Sequence, residues 1–217
     1  MKHALVITHA GSGGTLLCRI LGTNPKVRCF GRTNLCYNHP SVLHRARIRI
    51  DKVLGDTSKD HTDWYVDKLM SNYDFTCKSL YGVCKFIYMV RSPQVPLATL
   101  MSKGYPPGGA ETYYLFRLRR MCEMAARTNG ALLTYEDLTT KRAFPLLRNT
   151  LNLKSSLSDE YRPFLFDEPN LASGKILKEP KEPAVEVPED VLKRCISGYN
   201  RYLKFMESRT GLIRFAI

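Results

Sequence analysis

The chain lacks a run approaching the roughly 18 consecutive apolar residues of a membrane-spanning helix, so no helical span is expected. It lacks a disulfide framework as well: its seven cysteines are odd in number and irregularly spaced, the pattern of reduced thiols in a cytoplasmic setting. Cys29, Cys36, His39 and His44 come near one another, but as C-x₆-C-x₂-H-x₄-H, without the paired-cysteine knuckle of common zinc sites, and no metal is expected. The first apolar strand begins almost at the N-terminus, which leads to the expectation of no signal peptide. No internal repeat is present. Acidic residues are few, 20 against 33 Lys and Arg, and the net charge of +13 creates a field that favours anions. Neither a recognition motif nor interleaved aromatics accompanies that charge, so nucleic acid is not the expected partner.

What is there begins with Ala4-Leu-Val-Ile-Thr-His-Ala-Gly-Ser-Gly-Gly-Thr-Leu-Leu17. Leu5, Val6 and Ile7 read as a buried strand, Gly11, Gly13 and Gly14 allow a tight turn, and Thr15 to Leu21 continue as a helix closed by Gly22. Such a turn presents free backbone N–H groups at the positive end of a helix, where phosphate or sulfate binds. A nucleotide triphosphatase loop would read G-x-x-x-x-G-K-[ST], yet Gly14 precedes Thr15 and no lysine lies between the turn and Lys26. The glycine spacing does not give G-x-G-x-x-G either.

A second segment, Lys85-Phe-Ile-Tyr-Met-Val-Arg-Ser-Pro93, places Arg91 at the end of an apolar strand, with Pro93 opening a helix that carries Thr99. Ligands of open parallel sheets bind outside the carboxyl ends of strands, so Arg91 and Thr99 are expected to face the same crevice as the 11–15 turn. Strands are expected near 4–9, 26–30, 74–79, 85–90 and 131–135. Helices are expected near 15–22, 40–54, 62–71, 94–102, 111–128, 141–150 and 189–208. The alternation implies an α/β fold, a parallel sheet flanked by helices, in a single domain over residues 1–217. On the helix over 111–128, Leu115, Leu118, Met121, Cys122 and Ala125 form the apolar stripe, which puts Arg117, Arg119 and Arg120 on a solvated face. Cys18, Cys77 and Cys84 fall on apolar elements and are assigned to the core.

These segments resemble the sulfotransferases that use 3′-phosphoadenosine 5′-phosphosulfate (PAPS). Gly11-Ser-Gly-Gly-Thr-Leu-Leu17 is similar to the family's 5′-phosphosulfate motif, Arg91 to Thr99 to its 3′-phosphate motif, and Leu133-Thr-Tyr-Glu-Asp-Leu138 to a strand ending in Y-E-D-L. The likeness spans about residues 4–153. It implies a P-loop NTPase-like sulfotransferase fold, PAPS as donor and 3′-phosphoadenosine 5′-phosphate (PAP) as product, with no metal. Gly11, Ser12, Gly13, Gly14 and Thr15 would hold the 5′ side, Arg91 and Thr99 the 3′-phosphate, and Tyr135 the adenine. Lys175 would lie in a loop closing over the 3′-phosphate.

One departure is chemical. Gly11 stands where many members carry a basic residue against the transferring group, and sulfuryl transfer needs charge neutralisation there. The cation would then come from His9, Arg19, Arg32 or Lys78, with Thr15 and the turn's N–H groups sharing the work. For the general base the chain offers His39, His44, Asp51, His61 and Asp63; a neutral imidazole suits proton removal near neutrality, nothing in the sequence selects among these residues, and His39 is taken as the candidate. The acceptor would be a small molecule, a glycan or a peptide, and the positive charge suits an anionic one. Two other classes stay open: a P-loop kinase of a small metabolite, and a non-catalytic anion- or nucleotide-binding module.

Overall fold

A computed structural model describes residues 1–55, 62–72, 74–158 and 185–210. Strand β1 (Lys2–Thr8) leads to helix α1 (Gly14–Gly22), then β2 (Val27–Gly31), α2 (Val42–Leu54) and β3 (Trp64–Leu69). A 3₁₀ turn over Lys78–Gly82 precedes β4 (Cys84–Val90), α3 (Gln94–Met101), α4 (Pro107–Ala125) and β5 (Ala131–Thr134). Two short helices, α5 (Tyr135–Thr139) and α6 (Ala143–Leu151), and the long α7 (Glu189–Thr210) complete the described chain.

The five strands are parallel, in the order β2-β3-β1-β4-β5. That is neither the dinucleotide-binding order nor the flavodoxin-like one. Alternation along the strands builds two cores. Leu5, Ile7, Phe86, Tyr88 and Val90 pack on one face with Val42 and Ala46 of α2, with α3 and α4, and with Val191, Cys195 and Leu203 of α7. Ala4, Val6, Trp64, Val66, Ile87 and Met89 pack on the other face with Leu17, Ile20 and Leu21 of α1 and Leu147 and Leu151 of α6. Each such aliphatic side chain contributes about 1.5–3 kcal/mol by leaving water. The helices that follow the adjacent strands β1 and β4 therefore lie on opposite faces. The loops part between them, and this is where an open parallel sheet forms its ligand crevice.

The expected α/β architecture holds, with two misplaced elements. Residues 62–71, expected as a helix, contain β3, and residues 74–79, expected as a strand, contribute only the single bridge of Phe75 to Tyr37 before the 3₁₀ turn. Every residue of β3 is buried, including Asp67 and Lys68. A strand covered on both faces shows no period of two, and its two charges imitate the polar side of a helix. The helix expected over 141–150 begins at Ala143, and Tyr135, expected to end a strand, opens α5. No disulfide forms among the cysteines; Cys18 and Cys84 are in the core as expected, while Cys77 is partly exposed. Among the described residues no helix is long and apolar enough to cross a membrane.

Candidate functional site: an anion cradle at the carboxyl ends of β1, β3 and β4

Beyond Thr8 the backbone turns through Gly11 (φ 71°) and Gly13 (φ 91°), both in the left-handed region that favours glycine. Space matters at these positions as well. A Cβ on Gly13 would stand 2.6 Å from Cδ2 of Tyr135, and one on Gly11 would stand 3.0 Å from both the Cα of Pro96 and Oγ1 of Thr99. Ser12 is buried and faces inward: its hydroxyl donates to the His9 carbonyl at 2.9 Å and meets the Thr8 hydroxyl. It tightens the turn and does not line the crevice. The first backbone bond of α1 runs from the N–H of Leu17 to the carbonyl of Gly13 at 3.0 Å, so the N–H groups of Gly14, Thr15 and Leu16 stand ahead of the ladder. No acidic side chain occupies the helix's first turn and Gly13 supplies no side-chain cap, which leaves the positive end of the dipole available to an anion.

A cation lies across this helix start. Lys68, next to the end of β3, runs its stem over Gly14, where an added Cβ would lie 3.1 Å from the lysine Cδ. Its ammonium donates to Oγ1 of Thr15 at 2.7 Å. Lys68 was not among the cations expected to compensate for Gly11. Of those four, His9 is buried, Arg32 is paired with Asp74 at 3.2 Å, Lys78 is exposed on the 3₁₀ turn, and Arg19 is in the last turn of α1. The sequence signal that would have found Lys68 is Tyr65-Val-Asp-Lys-Leu69, an apolar strand whose end carries adjacent opposite charges; it was obscured by reading the segment as a helix.

From the other side comes Arg91, just past β4. Its guanidinium donates to the Gly11 carbonyl at 3.3 Å and lies 3.6 Å from the centroid of the Tyr135 ring. Half-burial pulls the Arg91 pKa below its ordinary value, opposed by Tyr135 and Glu136. Thr99 stands beside Gly11 but donates its hydroxyl back to the Val95 carbonyl at 2.7 Å. Tyr135, wedged between Gly13 and Arg91, is held by a capping box in which Thr134 and Asp137 satisfy each other's backbone N–H groups.

His9 is an internal part of the turn. Its Nε2 accepts the backbone N–H of Arg91 at 3.2 Å, which assigns the proton to Nδ1, 3.0 Å from the Ala10 carbonyl. The ring meets Tyr114 edge-on at 5.2 Å. Burial lowers its pKa from 6.5 to about 4, helped by the charges of Arg117 and Arg91, so the ring is neutral at pH 7 with both nitrogens engaged inside the protein. His39 is exposed just ahead of α2, where its Nδ1 interacts with the hydroxyl of Ser41 at 3.0 Å and accepts the Ser41 backbone N–H. Lys175 and His61 lie outside the described residues.

Two buried charges support these groups. Asp67 accepts the backbone N–H groups of Thr33 and Lys68, both at 2.8 Å, the Tyr37 hydroxyl at 2.8 Å, and the Thr33 hydroxyl. Burial pushes its pKa up against those donors. Arg117, expected on a solvated face, is instead 1 % exposed and aimed at the strand ends. It donates to the carbonyls of Thr8 at 2.9 Å, Leu69 at 2.9 Å and Ser71 at 3.0 Å, and to Oδ1 of Asn72 at 3.0 Å.

The structure thus brings Gly11, Gly13, Gly14, Thr15, Thr99, Arg91 and Tyr135 together and adds Lys68 to them. Three N–H groups, one hydroxyl and two flanking cations are chemically able to receive a multiply charged anion. Searches against protein-family models and against curated proteins return no match for the chain.

Proposed function

We propose that the protein is a sulfotransferase that moves a sulfuryl group from PAPS to a hydroxyl or amine of an acceptor. The observation that carries this reading is the pairing of two cations around one glycine turn, Lys68 against Thr15 on the side of β3 and Arg91 against Gly11 on the side of β4. PAPS has two anionic ends, and two groups of residues would receive them. Thr15, Lys68 and the N–H groups of Gly14 to Leu16 would hold the 5′-phosphosulfate, and Arg91 with Thr99 the 3′-phosphate. Tyr135 already carries the Arg91 guanidinium on its ring, so it would position that arginine as well as border the adenine.

In the proposed reaction the acceptor oxygen or nitrogen forms a bond to sulfur while the bond from sulfur to the oxygen of the 5′-phosphate breaks, leaving PAP. Lys68 would neutralise charge growing on that leaving oxygen, the work that a basic residue at position 11 would otherwise do. The acceptor's proton would pass to His39, the exposed imidazole just ahead of α2.

Calorimetric titration with PAP tests the reading. The wild type is expected to bind, and Arg91→Ala to bind at least roughly tenfold more weakly, the usual effect of losing a hydrogen-bonded charge. Absence of PAP binding by the wild type would overturn the proposal. Preference for ATP over PAP would favour a kinase of a small metabolite, and PAP binding without turnover of PAPS across an acceptor screen would favour a non-catalytic module.

A further inference from the structure

The proposed chemistry makes no use of Arg117, although no other basic side chain in the described residues is so fully buried. Its four hydrogen bonds all go to neutral oxygens, and no carboxylate contacts it among the described residues. Asp74, whose charge acts on it, is already held by Arg32 and by the backbone N–H groups of Met70 and Ser71. A guanidinium that is removed from water and left without a counter-ion is costly for a fold to keep, and hydrophobic replacements are often neutral or better. Burial lowers its pKa only to about 10, so the charge persists at pH 7.

Its position suggests what the charge does. Thr8 and Leu69 are the last residues of β1 and β3, and one planar fork reaches both. The turn that follows Thr8 carries the free N–H groups, and Lys68 immediately precedes Leu69. We propose that Arg117 is a positioning residue for the anion cradle. By tying the carboxyl ends of β1 and β3 together it sets Lys68 in register with the glycine turn, and its unneutralised charge strengthens the field felt by an anion there. The proposal rests on the turn being an anion site.

Two variants and two measurements test it. His9 is bonded through its ring to the Ala10 carbonyl of the turn and to the Arg91 N–H, the charged groups acting on it are Arg117 and Arg91, and the Tyr114 ring meets it edge-on. In ligand-free protein, NMR titration of the His9 ring should show a midpoint near the wild-type value, about 4, in Arg117→Lys and a higher one in Arg117→Gln. In PAP titrations, Arg117→Gln should bind roughly tenfold more weakly or worse, and Arg117→Lys, which keeps the charge but loses the fork, should fall between it and the wild type. Should Arg117→Gln not fold, Arg117→Lys carries the test: weaker PAP binding with an unmoved His9 is expected, and wild-type affinity overturns the positioning role. A folded Arg117→Gln with wild-type PAP affinity and an unmoved His9 would overturn the whole inference. A wild type that binds no PAP would sink the sulfotransferase reading, and the His9 titration would still decide whether the charge of Arg117 reaches the turn.

Discussion

Two residues of the turn, Gly13 and His9, hold it in shape by different physics. Gly13 is constrained by its left-handed φ and by the Tyr135 ring, so Gly13→Ala should cost the left-handed penalty of about 1 kcal/mol and in addition displace Tyr135 and with it Arg91. Gly104, with nearly the same φ (89°) and open space at its Cβ position, isolates the backbone cost alone. Denaturant unfolding should place Gly13→Ala below Gly104→Ala in midpoint; equal midpoints would show that the Tyr135 contact is unimportant. The contribution of His9 depends on protonation. Its folded pKa, about 4, is below the unfolded 6.5, so the unfolded chain binds more protons between those values. The stabilisation is complete above pH 6.5 and is lost as the pH falls toward 4, by at most about 1.4 kcal/mol per pH unit. His9→Gln should flatten that part of the stability profile, leaving the similar contribution of His3, also lowered to about 4. An unchanged slope in the variant would contradict the neutral, buried assignment of His9.

At the scale of elements, α5 is short enough that its cap decides its fate. Thr134 and Asp137 satisfy each other's backbone N–H groups at the start of a five-residue helix that carries Tyr135. Thr134→Ala should cost about 1 kcal/mol and weaken PAP binding through the loosened Tyr135 and Arg91 stack. Stability and affinity both at wild-type levels would show that the helix holds without its cap. The elements also show where sequence reading succeeds. β1, α1 and β4 were legible because their apolar runs end in glycines or proline, and because a strand followed by a bare helix start has a direct meaning for anions. β3 was not, because Asp67 and Lys68 are buried charges whose partners, Thr33, Tyr37 and Thr15, are supplied by distant parts of the chain. Arg117 was misread for the same reason: helical spacing put it beside Arg119 and Arg120, and only the tertiary fold reveals the strand ends it faces.

Over the whole molecule, parallel strand order places the ends of β1, β3 and β4 side by side, and the excess of 33 basic over 20 acidic residues adds a long-range field to the local cradle. Binding of a phosphorylated ligand should therefore weaken as salt rises, more in its association rate than in its dissociation rate, which stopped-flow measurements at increasing ionic strength would check. A salt-independent association rate would mean that only the contacting cations matter. The acceptor of the proposed reaction was not legible, because a fold sets the scaffold of a site and not the substrate its loops would select. The most direct test of the anion cradle is to follow backbone amide shifts of isotopically labelled protein during titration with PAP. The largest changes are expected at Gly14, Thr15 and Leu16, with accompanying changes at Lys68 and Arg91. Saturable shifts confined to other parts of the chain, or no shifts at all, would contradict the placement of the ligand at this turn.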